Sequence, residues 1–546
     1  MEETINSTSR KDKFKFAHRD EIIHDTKFET KPVSYLHDCM RRFVKNKASV
    51  VGAFIILLII LFSIFEPIFD QKNHVGNDYL NNEFAEPYFA NVLPRVKLFD
   101  GTGFWDGTKV EQYNDRELKK LQVNDSNYDR VVEIKSRNLL MPGMYMNEVK
   151  INTYAIGCKN LTSLTPEQYQ ALVEHEKSNG TYHQNIKTSS AQKGSIMKPL
   201  VDYESYVDSV AEQLNLDVNS SSLIRNLRNA YIQNQYFFKL EPVKVGNGYS
   251  DTQFRVVEDE NGNPIDVYLR DGEGNLVYEK LINGVYTVRV DYYDYVTYKN
   301  GFEPIYTFGA NQQGKDICLR LAKGASFSLM LGICITLVNF IIGLIWGAIS
   351  GYYGGRVDLI MERFTDIISN IPTVIIMSIA NIQFVNNEQL KNALGPAGIV
   401  VFAIFIAFIY NGWVGVASTT RMQFYRFKGQ EYVLASRTLG AKDSRLIFKH
   451  ILPNATGTLV TRSVLMIPGI IFSEASLSYL GIINFESSGI YSIGSMLNEG
   501  KIAGLANYPH ILLFPSIIIC LLMISFNLFG NGLRDAFNTT LRGSED

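Results

Sequence analysis

Long apolar runs separated by charged segments dominate the chain. Residues 48–65 contain no charge and centre on the run Ile55 to Leu61. At about 1.5 Å per residue, a helix of that length crosses most of a bilayer core. A secretory signal peptide is the competing reading. The run begins well inside the chain, lacks a small-residue cleavage site just after it and exceeds a usual signal core, so a spanning helix is expected. Further uncharged stretches cover residues 324–355, 367–387, 392–420 and 502–533, and each accommodates a span. The apolar stretch 455–480 is interrupted by Arg462 and Glu474. These two lie roughly 18 Å apart along a helix and cannot neutralise each other. Arg462 is expected to reach an interface, and Glu474 to need a partner inside the bundle. Six spans are therefore expected.

Between the first two spans the pattern changes. Residues 166–179, 203–217 and 221–234 have helical composition, whereas 254–298 alternates between strand-like runs and turn residues. Asn261-Gly262-Asn263-Pro264, Asp271-Gly272-Glu273-Gly274 and Asn283-Gly284 punctuate runs such as Val277-Tyr278 and Val285 to Val290. This predicts a meander of hairpins. The fold class expected is an α-helical membrane protein with six transmembrane helices and an α+β domain inserted between helices 1 and 2. The expected divisions are an N-terminal segment 1–47, a first span 48–70, the insert 71–305, a five-span core 306–540 and a tail 541–546.

Composition changes the picture only where it is local. With 53 Lys+Arg against 55 Asp+Glu over 546 residues, the net charge of −2 argues against a nucleic-acid binder, and 33 Phe and 30 Tyr argue against a disordered chain. The basic residues are unevenly placed: eleven lie in the first 47 residues and seven in 419–454, against one Lys each in 385–396 and 481–510. The positive-inside rule puts both termini and 419–454 in the cytoplasm and the insert outside. Five scattered cysteines show no metal or dithiol spacing. The insert holds only Cys158 and so forms no disulfide within itself, and it carries no HExxH, nucleophile elbow or acidic calcium loop. Gly309 to Asp316 has phosphate-loop spacing but ends Gly314-Lys315-Asp316, without the hydroxyl that would hold magnesium. No other Walker A candidate occurs, so ATP hydrolysis by that chemistry is not expected of this chain.

The most informative segment runs from Glu431 to Asn454. It reads as one helix ended by Gly440 and a second from about Lys442 ended before Pro453. The small residues Ala435, Ser436, Gly440 and Ala441 offer a surface for close packing by another protein. An interfacial amphipathic hairpin fits the composition as well.

This segment resembles the EAA loop of binding-protein-dependent ABC importer permeases. Ala435, Gly440, Leu452 and Pro453 stand at the matching spacing, with Leu434, Ser436 and His450 as departures. The His450-Ile-Leu-Pro-Asn454 ending is similar to the oligopeptide and dipeptide branch. Met40 to Gly52 resembles the entry to the first span of the C-type subunit. Phe308 to Asp316, Gly351 to Asp358, Asp366 to Pro372, Glu474 to Gly481 and Gly530 to Ala536 continue the likeness in order over residues 40–70 and 306–540.

The resemblance implies a type I ABC importer permease for oligopeptides or dipeptides in a bacterial plasma membrane. It implies a second permease subunit, two ATP-binding subunits that supply ATP and Mg, an extracellular substrate-binding lipoprotein, peptide substrate and membrane lipid as partners, with no cofactor in this chain. Glu431, Ala435, Ser436, Gly440, Ala441, His450, Leu452 and Pro453 are then the ATPase-coupling residues. Asp366, Pro372 and Glu474 are candidates for a gate or path, although Glu474 also suits a place in the outer interface. No metal ligands are expected. The insert would be a docking platform for the binding protein or a brace against the second permease. Two readings from other classes stay open: a membrane receptor with a ligand-binding ectodomain, which lacks a cytoplasmic signalling domain here, and an ion-coupled secondary transporter, which would persist in transport without ATP.

Overall fold

A computed structural model of the chain describes residues 35–70, 89–123, 131–141, 144–178, 196–234, 237–385, 387–483, 485 and 488–537. Most of the expected N-terminal segment, the start of the insert and the tail 541–546 lie outside these. Five described helices are long and apolar enough to cross a membrane, and a bent pair makes a sixth candidate.

The first span is Lys47–Phe69, preceded by the amphipathic helix Tyr35–Lys45. Asn46 separates them, its side-chain oxygen accepting from the Ser49 N–H. The second span, Ile317–Tyr353, starts at Asp316, whose carboxylate accepts the backbone N–H groups of Cys318 (2.7 Å) and Leu319 (3.5 Å). These are orphan donors of the first turn, so the aspartate fixes where the span begins.

The third span departs from the expected single run over 367–387. It consists of Gly355–Ser369 and Thr373–Phe384, bent by 68°. Pro372 causes the break, because proline disfavours helical backbone at Ile371 and lacks an N–H, and it serves instead as N-cap of the second half. The fourth, Glu388–Lys428, is interrupted at Gly395, whose φ of 74° just before Pro396 is open to glycine. The sixth is shorter than expected: Pro509–Phe537 crosses, while Ile493–Ala503 is a separate helix ended by Gly504.

Second and fourth spans approach backbone to backbone. A methyl group at Gly343 would lie 2.6 Å from the Trp413 carbonyl oxygen, and Gly347 and Gly351 repeat this closeness one and two turns on, against Ala417 and Arg421. In lipid, where burial of apolar surface adds no driving force between helices, such contact is what holds spans together. Gly347→Leu is expected to force the pair apart and cost at least about 1–3 kcal/mol, read as a lower unfolding temperature of the purified protein.

Between the first and second spans in chain order lie nine strands among the described residues. β1 (Thr108–Asn114), β2 (Val131–Met141) and β3 (Met144–Asn152) form an antiparallel sheet in the order β1-β3-β2. β4 (Cys158–Leu164), β5 (Met197–Lys198) and β8 (Glu279–Ile282) all pair with β9 (Val285–Asp291), and β6 (Leu240–Val245) pairs with β7 (Gly248–Val256). The predicted turn at Asn283-Gly284 closes the β8–β9 hairpin, with φ of 52° and 80°. Val277-Tyr278 is not a strand; Tyr278 is buried instead, and the strand starts one residue later. Cys158 is a buried thiol outside any disulfide.

Candidate functional site

The segment after the fourth span folds into a hairpin seated on the end of the second. Glu431–Thr438 is helical, and Gly440 with φ of 82° reverses the chain at a position where no atom would meet a side chain. Asp443 then starts a helix that does not stop at Pro453. Through a widened turn at Leu446–Ile451 it runs on to Tyr479. This corrects the expectation of a second short helix ended by the proline. In the widened turn the Leu452 N–H donates to the Ile447 carbonyl, five residues back. That spacing gives the Pro453 ring the room an ordinary turn denies it, so the proline becomes an opening residue of the fifth span.

Val433, Leu446 and Ile451 are buried with Tyr352 and Phe424 in one cluster, joined by half-buried Ala441 and Leu452. The Tyr352 hydroxyl donates to the Asp443 carboxylate, and the Lys428 ammonium donates to the Tyr352 carbonyl at 2.6 Å. Ser436 Oγ and His450 Nε2 meet at 3.4 Å across the hairpin. Glu431, Ala435 and Pro453 are exposed. So are two large apolar side chains that the core does not use: Leu439 is 88% exposed and Phe448 69%. The hairpin is thus rigidly based and apolar at its tip.

A second cluster ties the base of the hairpin to the third span. Asp358 accepts from Arg421 Nε (2.5 Å) and Nη2 (2.7 Å), from the Tyr425 hydroxyl (2.7 Å) and from Ser350. One carboxylate therefore joins the elbow after the second span to the helix that leads into the hairpin. Asp358→Ala would leave Arg421 with Glu362 at 3.3 Å as its carboxylate partner among the described residues. A loss of about 2–3 kcal/mol is expected, seen as earlier thermal unfolding, since charged hydrogen bonds are the costly ones to lose.

Glu474 lies fully buried within the protein. Its carboxylate accepts from Ser328 at 3.1 Å and Ser478 at 3.2 Å. Asp366 does not join it. Its side chain is exposed and pairs with Arg363 one turn back (3.0 Å), while Pro372 sits at the bend of the third span. The three gate candidates are thus not assembled into one site.

The N-terminal end of the second span carries a further buried pair. Arg320 donates to Glu499 through both terminal nitrogens, Nη1 at 2.6 Å, and Asn311 Nδ2 donates to the same carboxylate at 2.9 Å. Burial pushes the Glu499 carboxyl up, but Arg320 outweighs it and holds the group below the usual glutamate range. Among the described residues, no group of three or more His, Cys, Asp or Glu could hold a metal ion.

Comparison with known proteins decides the family. Residues 343–543 match the model of the binding-protein-dependent transport system inner membrane component, and 34–87 match the N-terminal transmembrane domain of oligopeptide transport permease C. The oligopeptide transport system permease protein OppC of Bacillus subtilis is 41% identical over 235 residues, 43% of this chain and 72% of that protein. The chain belongs to the oligopeptide and dipeptide permeases of the binding-protein-dependent ABC importers. The dipeptide permease DppC of the same organism is 37% identical over 43% of this chain and 69% of its own length. A solved inward-facing methionine ABC transporter, MetNI, aligns over 40% of this chain and 96% of that one at 17% identity, with a TM-score of 0.30.

As a permease of this family the chain is a non-catalytic, multi-pass membrane subunit of the type I importer fold. The family works with ATPases and a second permease. The permease's nine described strands all fall between the two matched segments. Sequence reading missed Arg421 and Tyr425 as partners of Asp358, and Arg320 with Glu499. The charges within otherwise apolar helices were the available signal, but their partners are far off in the chain.

Proposed function

We propose that this permease carries oligopeptides or dipeptides inward and that residues 431–453 are where an ATPase grips it. The carrying observation is the hairpin itself: exposed Leu439 and Phe448 crown a base packed on Tyr352 and Phe424, and the same helix continues through the fifth span to buried Glu474. A push on the tip is therefore delivered to the bundle interior without a flexible joint. ATP and Mg act in the partner subunits, and nucleotide supplies the energy difference between inward- and outward-open states. The distribution of Lys and Arg supports an orientation with both termini and the hairpin in the cytoplasm and residues 71–305 outside. There a substrate-loaded lipoprotein would meet the permease and hand peptide to a path shared with a second permease.

The test is purification of the tagged chain in mild detergent from native membranes. A second permease and two ATP-binding subunits should be retained, and a cysteine in place of Leu439 should crosslink to an ATPase. Recovery of the chain alone, with no crosslink, would sink the proposal.

A further inference from the structure

The nine-residue loop at 97–105 is built unlike a water-exposed turn. Its backbone closes on itself: Val96 N–H donates to Trp105 O, Phe99 to Val96, Asp100 to Lys97, Thr102 to Phe99, and Gly103 to the Asp106 carboxylate. Its one acidic side chain, Asp100, is taken bidentately by Arg95 at 3.0 and 2.8 Å. With these N–H groups and the Asp100 carboxylate paired inside, the loop turns apolar side chains out: Leu98 is 82% exposed and Phe104 63%. In water this arrangement exposes large apolar surface without return. In a bilayer it meets the demand that backbone groups find partners within the protein.

The loop's depth agrees. Trp105 stacks on Phe308 and Phe514, and Phe308 in turn lies against Phe62. Phe62 is seven residues inside the end of the first span and Phe514 five residues inside the sixth, which places the stack roughly 8–10 Å below the helix ends. Beside Trp105, a cavity of about 410 Å³ is walled by Phe104, Leu513 and Ile517, the last two exposed residues on the outward face of the sixth span. It opens onto the surface of the helix bundle where Leu513 and Ile517 are exposed. Lys97, paired with Glu303 at 3.3 Å, sits exposed at the rim, where a basic side chain can reach headgroups.

We propose that residues 97–105 are a foot seated in the outer half of the bilayer, with Leu98 and Phe104 among lipid tails and a phospholipid acyl chain in the cavity beside Trp105. The foot pins the strand-bearing region to the membrane independently of any binding protein or peptide. Tryptophan and phenylalanine at the edge of an apolar slab suit this depth.

The intact complex is exposed in its membrane to a phosphatidylcholine with a photoreactive group in its acyl chain, and adducts are mapped by mass spectrometry. Modification within 97–105, at a yield comparable to that on the exposed face of the first span, is the expected result. A labelled first span with an unmodified loop overturns the proposal. A second readout uses the three tryptophans of the chain: with Trp346→Phe and Trp413→Phe, the full chain in nanodiscs retains Trp105 alone. Loss of its fluorescence on changing to lipids brominated along the acyl chain supports the foot. Unchanged fluorescence, or crosslinking of the loop to a second polypeptide in place of lipid, overturns it.

Discussion

Arg320→Met is expected to destabilise the permease by roughly 3–5 kcal/mol, the range for removing one partner of a buried ion pair. Glu499 would keep the Asn311 amide and the more distant charge of Lys315, inside a site built around a guanidinium. The pair joins the first turn of the second span to the Ile493–Ala503 helix, and Asn311 adds the loop before that span. Loosening therefore spreads over three elements. Unfolding can be followed through the thiols: Cys39, Cys158 and Cys318 are buried, so in a Cys334→Ser, Cys520→Ser background they react with a thiol dye only as the chain opens. The double replacement Arg320→Met with Glu499→Met should recover most of the loss, because two apolar side chains leave no charge behind. Equal stability of Arg320→Met and the parent would refute a fastening role.

The pH dependence has a definite sign. Glu499 is held below its ordinary range in the folded state. A depressed carboxyl contributes stability above its unfolded value and loses it as pH falls through the folded value. The advantage of the parent over Arg320→Met should thus be complete at neutral pH and shrink only in acid.

How much of this was legible in the sequence depends on how local the cause is. Spans could be read because lipid requires long uncharged runs, and the β8–β9 turn because Asn283-Gly284 suits left-handed backbone on its own. Gly440 ended its helix as its conformational freedom implied. Pro453 misled because proline usually stops a helix, and the widened turn that admits it has no sequence mark of its own. The bend at Pro372 was legible as a proline but not as a 68° break. Partnerships across the chain were beyond reach. Asp358 meets Arg421 63 residues later and Glu474 meets Ser328 146 residues earlier, so each looked like an isolated charge. The same holds for β9, whose partners β4 and β5 lie far upstream and give the hairpin reading no hint of a four-stranded sheet.

Leu439→Asp and Phe448→Asp are expected to abolish ATP-driven peptide uptake while leaving the fold intact. Neither side chain belongs to the buried cluster under the hairpin, and surface replacements away from packing usually change stability by no more than about 0.5 kcal/mol. At a protein interface the same residues are candidates for the central apolar anchors. Truncating such anchors costs about 2–4 kcal/mol, or roughly 30- to 1000-fold in affinity. A carboxylate forced into that contact would cost at least as much. Val433→Asp is the contrasting variant: Val433 is fully buried, so it should unseat the hairpin and lower stability as well as transport. Gly440→Ala tests shape alone, since no atom blocks a methyl group there and only the left-handed backbone resists it, by about 1–2 kcal/mol. Retention of the ATPases in detergent and uptake of a labelled peptide should fall together in the two aspartate variants. If either variant kept its ATPases and transported at the parent rate, the tip of the hairpin would not be the coupling surface, and force would have to enter through the Tyr352 base instead.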